Sequence, residues 1–184
     1  MKISEIIARA DGLKPNKYTA TTKLGWINHV DGMVWDEVYK HTGFIDVPRQ
    51  AGIAAYALPE GVNFEQVTNV YIDGDDIYKI SHRDFETTGY YRGTDGKLNI
   101  YPVPTEDDVS PKLRIAYRLP FTLHTADTED VFIQSPYDKA YDDYLMAMFY
   151  KFNEDMDGYS DYVAFYNNDI KEYADWYNDH KQEE

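Results

Sequence analysis

The residues best suited to chemistry in this sequence are carboxylates, and one run of them has a suggestive order. Asn153-Glu154-Asp155-Met156-Asp157-Gly158-Tyr159-Ser160-Asp161 sets oxygen ligands at positions one, three and five and a glycine at six, between two helical patterns. That order imitates a calcium loop of the EF-hand kind, which a bidentate glutamate closes at position twelve. Here position twelve is Ala164, and position eight, normally aliphatic, is Ser160. A hard cation loses two ligands by that change, so the run is expected to be an ordinary turn between helices. Other carboxylates cluster at Asp75-Asp76, Glu106-Asp107-Asp108, Glu129-Asp130 and Asp142-Asp143. A glycosidase needs two such groups facing each other across a cleft, whereas predicted turns and polar helix faces favour solvated charge. His29, His41, His82, His124 and His180 are scattered, and none has a metal-ligand spacing such as His-Glu-x-x-His. There is no Gly-x-Ser-x-Gly elbow, Walker loop or Gly-x-Gly-x-x-Gly turn. Cysteine is absent, which removes disulfides, thiolate zinc sites and cysteine nucleophiles together. Nothing here speaks for catalysis, and no cofactor or metal is expected.

Composition narrows the classes further. The 184 residues are 43% hydrophobic and 28% charged, enough for one domain with a real core. Acids outnumber bases 33 to 18, a formal charge of −15, which argues against a groove that grips nucleic-acid phosphates. No apolar run reaches the length of a membrane span, and Met1–Gly12 lacks a signal-peptide core. The chain is expected to stay in the compartment where it is made. From Asp138 onward there are 13 acids and 4 bases, together with 8 of the 18 tyrosines. A tyrosine joins a large apolar ring to a polar tip, so a surplus suits surfaces buried against something yet wet at the edge.

The elements that must position these residues are legible as periodicities. Ile3, Ile6, Ile7 and Ala10 predict a helix near 3–11, with Ser4 as cap and Gly12 as stop. Leu24, Ile27, Asp31, Val34 and Val38, widened by Trp26, Val30 and Met33, predict a second near 19–42, stopped by Gly43. Asp31 reads as the edge of that stripe, and Gly25 and Gly32 as points of close approach to a neighbouring helix. Residues 54–133 read as a β insertion. Its expected hairpins are Val70–Ile72 with Ile77–Ile80 and Tyr90–Arg92 with Leu98–Tyr101, followed by a half-buried strand over Leu113–Leu119. Pro102-Val103-Pro104 and Val109-Ser110-Pro111 punctuate the connections. Ser135-Pro136-Tyr137-Asp138 resembles a capping box opening a helix over 136–152. Gly158 is expected to break the pattern before a last helix over 159–180, carrying Tyr159, Tyr162, Val163, Tyr166, Ile170, Tyr173 and Tyr177; the tail Lys181-Gln182-Glu183-Glu184 frays. The fold class is therefore α+β: a bundle of about four helices with an antiparallel insertion between the second and third. Trp26, Ile27, Val30, Val34, Leu145, Met148, Phe149, Val163 and Tyr166 should be its core.

Taken together, Pro15-Asn16, the tract Leu24-Gly25-Trp26-Ile27 to Val34-Trp35-Asp36-Glu37-Val38, Ser135-Pro136-Tyr137, Tyr144-Leu145-Met146-Ala147-Met148 and Asn153-Glu154-Asp155 before a tyrosine-rich helix resemble a known family. The chain resembles the head–tail connector adaptors of tailed bacteriophages, in particular the tail-tube-type adaptors of short-tailed phages. The likeness covers nearly the whole chain as a single adaptor domain, 1–184. It implies a structural virion protein, assembled in the host cytoplasm, of which about twelve copies form a ring under the portal. It further implies a tail, stopper or nozzle protein below, DNA passing through the lumen without specific binding, and no membrane partner. An acidic wall suits such a conduit, because like charge keeps DNA from sticking. In that family the terminal helix commonly contacts the portal, which by element points to Tyr166, Ile170, Tyr173, Trp176 and Tyr177. Two readings from other classes stand beside it: an acidic DNA mimic that blocks a host DNA-binding protein, and a hydrolase using perturbed carboxylates in a deep cleft.

Overall fold

The computed structural model describes residues 1–81, 87–107 and 112–181. His82, Asp108, the Val109-Ser110-Pro111 punctuation and Gln182–Glu184 lie outside the described residues. The class is α+β, with a mixed sheet entering the chain between the second and third helices. Two compact units form: Met1–Tyr39 with Phe121–Glu184, which is helical, and Lys40–Pro120, which is the sheet.

The helical unit contains α1 (Ile3–Leu13), α2 (Ala20–Val34), α3 (Lys139–Phe152) and α4 (Met156–His180). Ile3, Ile6, Ile7 and Ala10 are buried as their spacing predicts. Ser4 is not the cap of α1. The free N–H groups at its start are taken instead by Glu129 and Asp127 carbonyls, which accept from Ile3 N at 3.0 Å and Ser4 N at 2.8 Å. The helix also runs through Gly12 to Leu13. Thr19 caps α2, its hydroxyl accepting from Thr22 N. α2 ends well before residue 42: a π-helical turn spans Trp35–Tyr39, and Lys40 then takes a positive φ of 51°. Gly25 faces open space, and Gly32 lies under the Phe121 ring rather than a helix.

At α3, Ser135 and Pro136 stand outside the helix, and Asp138 occupies the N-cap position. Arg9 holds the Asp138 carboxylate at 2.7 Å and also binds Asp142, so the acid of the expected capping box faces another helix instead of its own first turn. Ile27, Val30, Val34, Leu145, Phe149 and Tyr166 are buried in one core, as expected. Trp26, Met148 and Val163 are only half-buried. Gly158 does not break a helix. It lies in the first turn of α4, and a β-carbon there would fall inside the Tyr150 ring, so the glycine lets α3 and α4 approach closely.

The sheet unit has strands β1 (Thr42–Pro48), β2 (Ala55–Tyr56), β3 (Val67–Ile72), β4 (Asp75–Lys79), β5 (Gly89–Arg92), β6 (Leu98–Tyr101) and β7 (Lys112–Arg118). Their order is β1-β7-β3-β4-β5-β6-β2. The two expected hairpins are β3–β4, turning on Asp73-Gly74, and β5–β6. Three features differ from expectation. Strand β1 begins at the expected helix end and its Gly43 stop and continues through residues for which no strand is expected, and it pairs with β7 along its whole length. One ladder, β4 with β5, is parallel, with Tyr78 opposite Gly89. A side chain at Gly89 would approach the Tyr78 carbonyl oxygen to 2.6 Å, so a glycine is required there. Third, Phe121–Ile133 belongs to the helical unit and adds no strand to the sheet. The sheet core is Tyr56, Phe64, Val70, Ile77, Tyr90, Leu98, Ile100, Leu113 and Ile115.

Candidate functional site

Helix α4 is the element on which the candidate contact residues sit. Asp155 starts it, its carboxylate accepting from Gly158 N at 3.0 Å. Asn153-Glu154-Asp155 is thus the whole connection from α3, and the later positions of the calcium-like run are already helical. Oxygens spread along a helix cannot wrap an ion as a loop does.

The inward stripe of α4 is fixed by aromatic contacts. Tyr166 packs on Tyr144 at 5.0 Å between ring centroids, and Tyr162 stacks on Tyr150 at 5.3 Å. The hydroxyls of Tyr173 and Tyr39 hydrogen-bond at 2.6 Å, and Tyr39 also donates to the Phe132 carbonyl. Burial raises the pKa of each of Tyr39, Tyr166 and Tyr173, so these rings are neutral at every relevant pH. Tyr166 and Tyr173 are therefore core residues of their own unit, and Ile170 is half-buried against the same core. The Tyr166 hydroxyl finds no hydrogen-bond partner among the described residues.

Trp176 is different. It is 40% exposed and lies off the inward stripe. It forms one wall of a cleft of about 330 Å³, whose other lining includes Ser135, Pro136, Tyr137, Tyr173 and Tyr177. Its indole lies 5.5 Å from the Tyr137 ring, 5.9 Å from Tyr173 and 4.9 Å from His180. The structure so brings Tyr173, Trp176 and Tyr177 together and leaves Tyr166 and Ile170 elsewhere on the helix. Sequence reasoning missed the opposite wall, Ser135-Pro136-Tyr137, because it reads these residues as the start of a helix that in fact begins at Lys139. The available signal was the proline, which cannot continue a hydrogen-bonded ladder.

The perturbed carboxylates lie apart from this cleft. Asp31 is fully buried, not at the edge of a stripe. Its carboxylate accepts from the Tyr141 hydroxyl and lies 2.7 Å from His124 Nε2, while His124 Nδ1 lies 3.1 Å from Glu129. Burial pushes the Asp31 pKa up, against the lowering effect of those hydrogen bonds. Glu129 moves the other way, down to about 2, because the backbone N–H groups of Thr125 and Ala126 and then His124 donate to it. Asn28 locks the same segment through both the N–H and the carbonyl of His124. Asp142 and Asp143 are buried too, not solvated: Asp142 with Arg9, Asp143 with Lys139. Burial raises Asp142, and burial with the neighbouring Asp143 raises Asp169. These acids tie helices together. None lines the Trp176 cleft, and a second cleft in the sheet unit has Glu106 as the one acid among its described lining residues. The acids with shifted pKa values line neither of these two clefts.

The family model of the SU10 adaptor protein matches residues 1–182. The chain belongs to the SU10 adaptor protein family. No curated protein matches it. Membership agrees with the resemblance read from the sequence, and it makes the chain a phage virion adaptor, structural rather than catalytic by family. No helix among the described residues is long and apolar enough to cross a membrane.

Proposed function

We propose that this adaptor forms a ring, about twelve copies by analogy with cyclic connectors, that docks on the portal protein and prolongs the DNA channel toward the tail. The family match over residues 1–182 carries this reading. The charge of −15 supports it, since a wall that repels phosphate lets DNA slide through. A tail, stopper or nozzle protein is the partner on the other side. The docking element is α4, through Trp176 and Tyr177; Tyr166, Ile170 and Tyr173 hold the helix in shape from inside.

The test is attachment to DNA-filled heads. Aromatic interface residues commonly cost about 2 kcal/mol or more when truncated, roughly thirtyfold at one site, and repetition around a ring multiplies the loss. Trp176→Ala should leave the protein folded by circular dichroism and abolish attachment. Deletion of residues 170–184 should also abolish attachment. Folded variants that still yield tailed, infectious particles would show that α4 is not the docking element.

A further inference from the structure

Trp176 lines a concave cleft, and the chemistry of that cleft bears on what could occupy it. Four aromatic residues, Tyr137, Tyr173, Trp176 and Tyr177, line it together with Pro136. At about 330 Å³ it is at the small end of ligand-site volumes, room for one long side chain and the backbone beside it. Aromatic faces are negative and attract cations, arginine most often, because its planar guanidinium stacks on rings while its apolar stem covers them. The surroundings are negative as well. Residues three and four apart share a helix face, so Glu172 and Asp179, both exposed, sit one turn before and one turn after Trp176. Asp175 is exposed between them. Of the basic side chains on or beside α4, Lys139 is taken by Asp143 and Asp169, Lys181 donates to the Tyr39 carbonyl, His180 stacks on Trp176, and Lys171 is exposed next to Glu172.

We infer that the cleft between Ser135-Pro136-Tyr137 and the last turns of α4 binds an arginine side chain presented by a partner protein, with Glu172 and Asp179 pairing cations that flank it. The inference rests on the docking reading above and specifies the chemistry of the portal segment that would meet α4. A second copy of this chain is the rival occupant, and the local charge bears on the choice: Glu172, Asp175 and Asp179 are all exposed around the cleft, so the favoured segment carries cations beside its arginine.

The experiment uses the full chain and three capped heptapeptides of otherwise identical sequence, with central arginine, norleucine or glutamate. Binding is read from Trp176 emission, with Trp176→Phe defining the contribution of Trp26 and Trp35. The arginine peptide is expected to bind at least about ten times more tightly than the norleucine peptide, and to weaken between about 50 mM and about 500 mM salt. The glutamate peptide should not bind. Tyr137→Ala should remove binding. The double substitution Glu172→Gln with Asp179→Asn should weaken it about tenfold while leaving the circular dichroism unchanged. Norleucine binding as well as arginine, no binding by any peptide, or emission that shifts with protein concentration alone as a dimer forms, would each overturn the inference. The docking reading fails separately. If the arginine peptide binds but Tyr137→Ala and Trp176→Ala particles still assemble, the cleft stands and portal docking through α4 falls. If no peptide binds but deletion of residues 170–184 prevents attachment, docking stands and the arginine assignment falls.

Discussion

The two units are built on different principles. In the helical unit the core contains Lys23, Asp31, His124, Asp138, Asp142 and Asp143; every buried charged or imidazole side chain among the described residues is there. The sheet core is aliphatic and aromatic throughout. Apolar alternation is enough to hold a sheet, and it is forgiving of which apolar residue is used. Buried charges offer little net stability, because desolvation offsets their attraction, but removing one partner is costly. The helical unit is therefore the brittle one, and the segment 121–133 joins it through polar contacts, Asn28 and Asp31 from α2, Tyr141 from α3 and its own Glu129, as well as through buried Val131 and Ile133.

This contrast can be broken by substitution. Asp31→Ala strands His124 Nε2 and the Tyr141 hydroxyl inside the unit, and should cost about 3–5 kcal/mol, read as a fall in the urea midpoint. Tyr141→Phe removes the donor to Asp31 and the acceptor for Ile133 N; it should cost about 1–3 kcal/mol. Ile115→Val in the sheet core removes one methylene and should cost only about 1 kcal/mol. If the sheet substitution proves the most damaging of the three, the comparison is wrong.

Acid sharpens the same comparison. Glu129 has its folded pKa depressed to about 2, so its contribution is present above the ordinary glutamate range near 4.3 and is lost as pH falls through about 2. Stability of the wild-type chain should therefore decline over that window, and Glu129→Gln should flatten the decline. Asp31, with its folded pKa raised, opposes this: its burial costs stability as pH rises from the ordinary aspartate range toward its folded value. A pH–stability profile unchanged by Glu129→Gln would remove the carboxylate from the account. The smallest expected effect is that of calcium. With residues 156–164 helical and Ala164 in place of the closing carboxylate, titration should show no binding tighter than about 10⁻⁵ M.

Much of this architecture was legible in the residues, and the failures share one cause. Hairpins β3–β4 and β5–β6 announce themselves because their turn residues and alternation are local. Strand β1 does not, since Thr42–Pro48 follows a helical stripe without a gap and finds its partner β7 about seventy residues on. Asp31 looked like the edge of a stripe because its partners His124 and Tyr141 stand 93 and 110 positions away. Asp142 looked solvated because Arg9 is 133 positions away. At the site, Trp176 was identifiable as the residue off the inward stripe of α4, whereas the wall that makes it a cleft comes from a non-helical segment that periodicity cannot place.

The central claim, assembly on a portal through α4, is tested most directly by mass photometry of the purified chain with and without its cognate portal ring. The account predicts a species heavier than the portal by whole copies of the chain, approaching about twelve, which deletion of residues 170–184 removes. A chain that leaves the portal mass unchanged, and instead forms a small complex with a basic DNA-binding protein of the host, would contradict it.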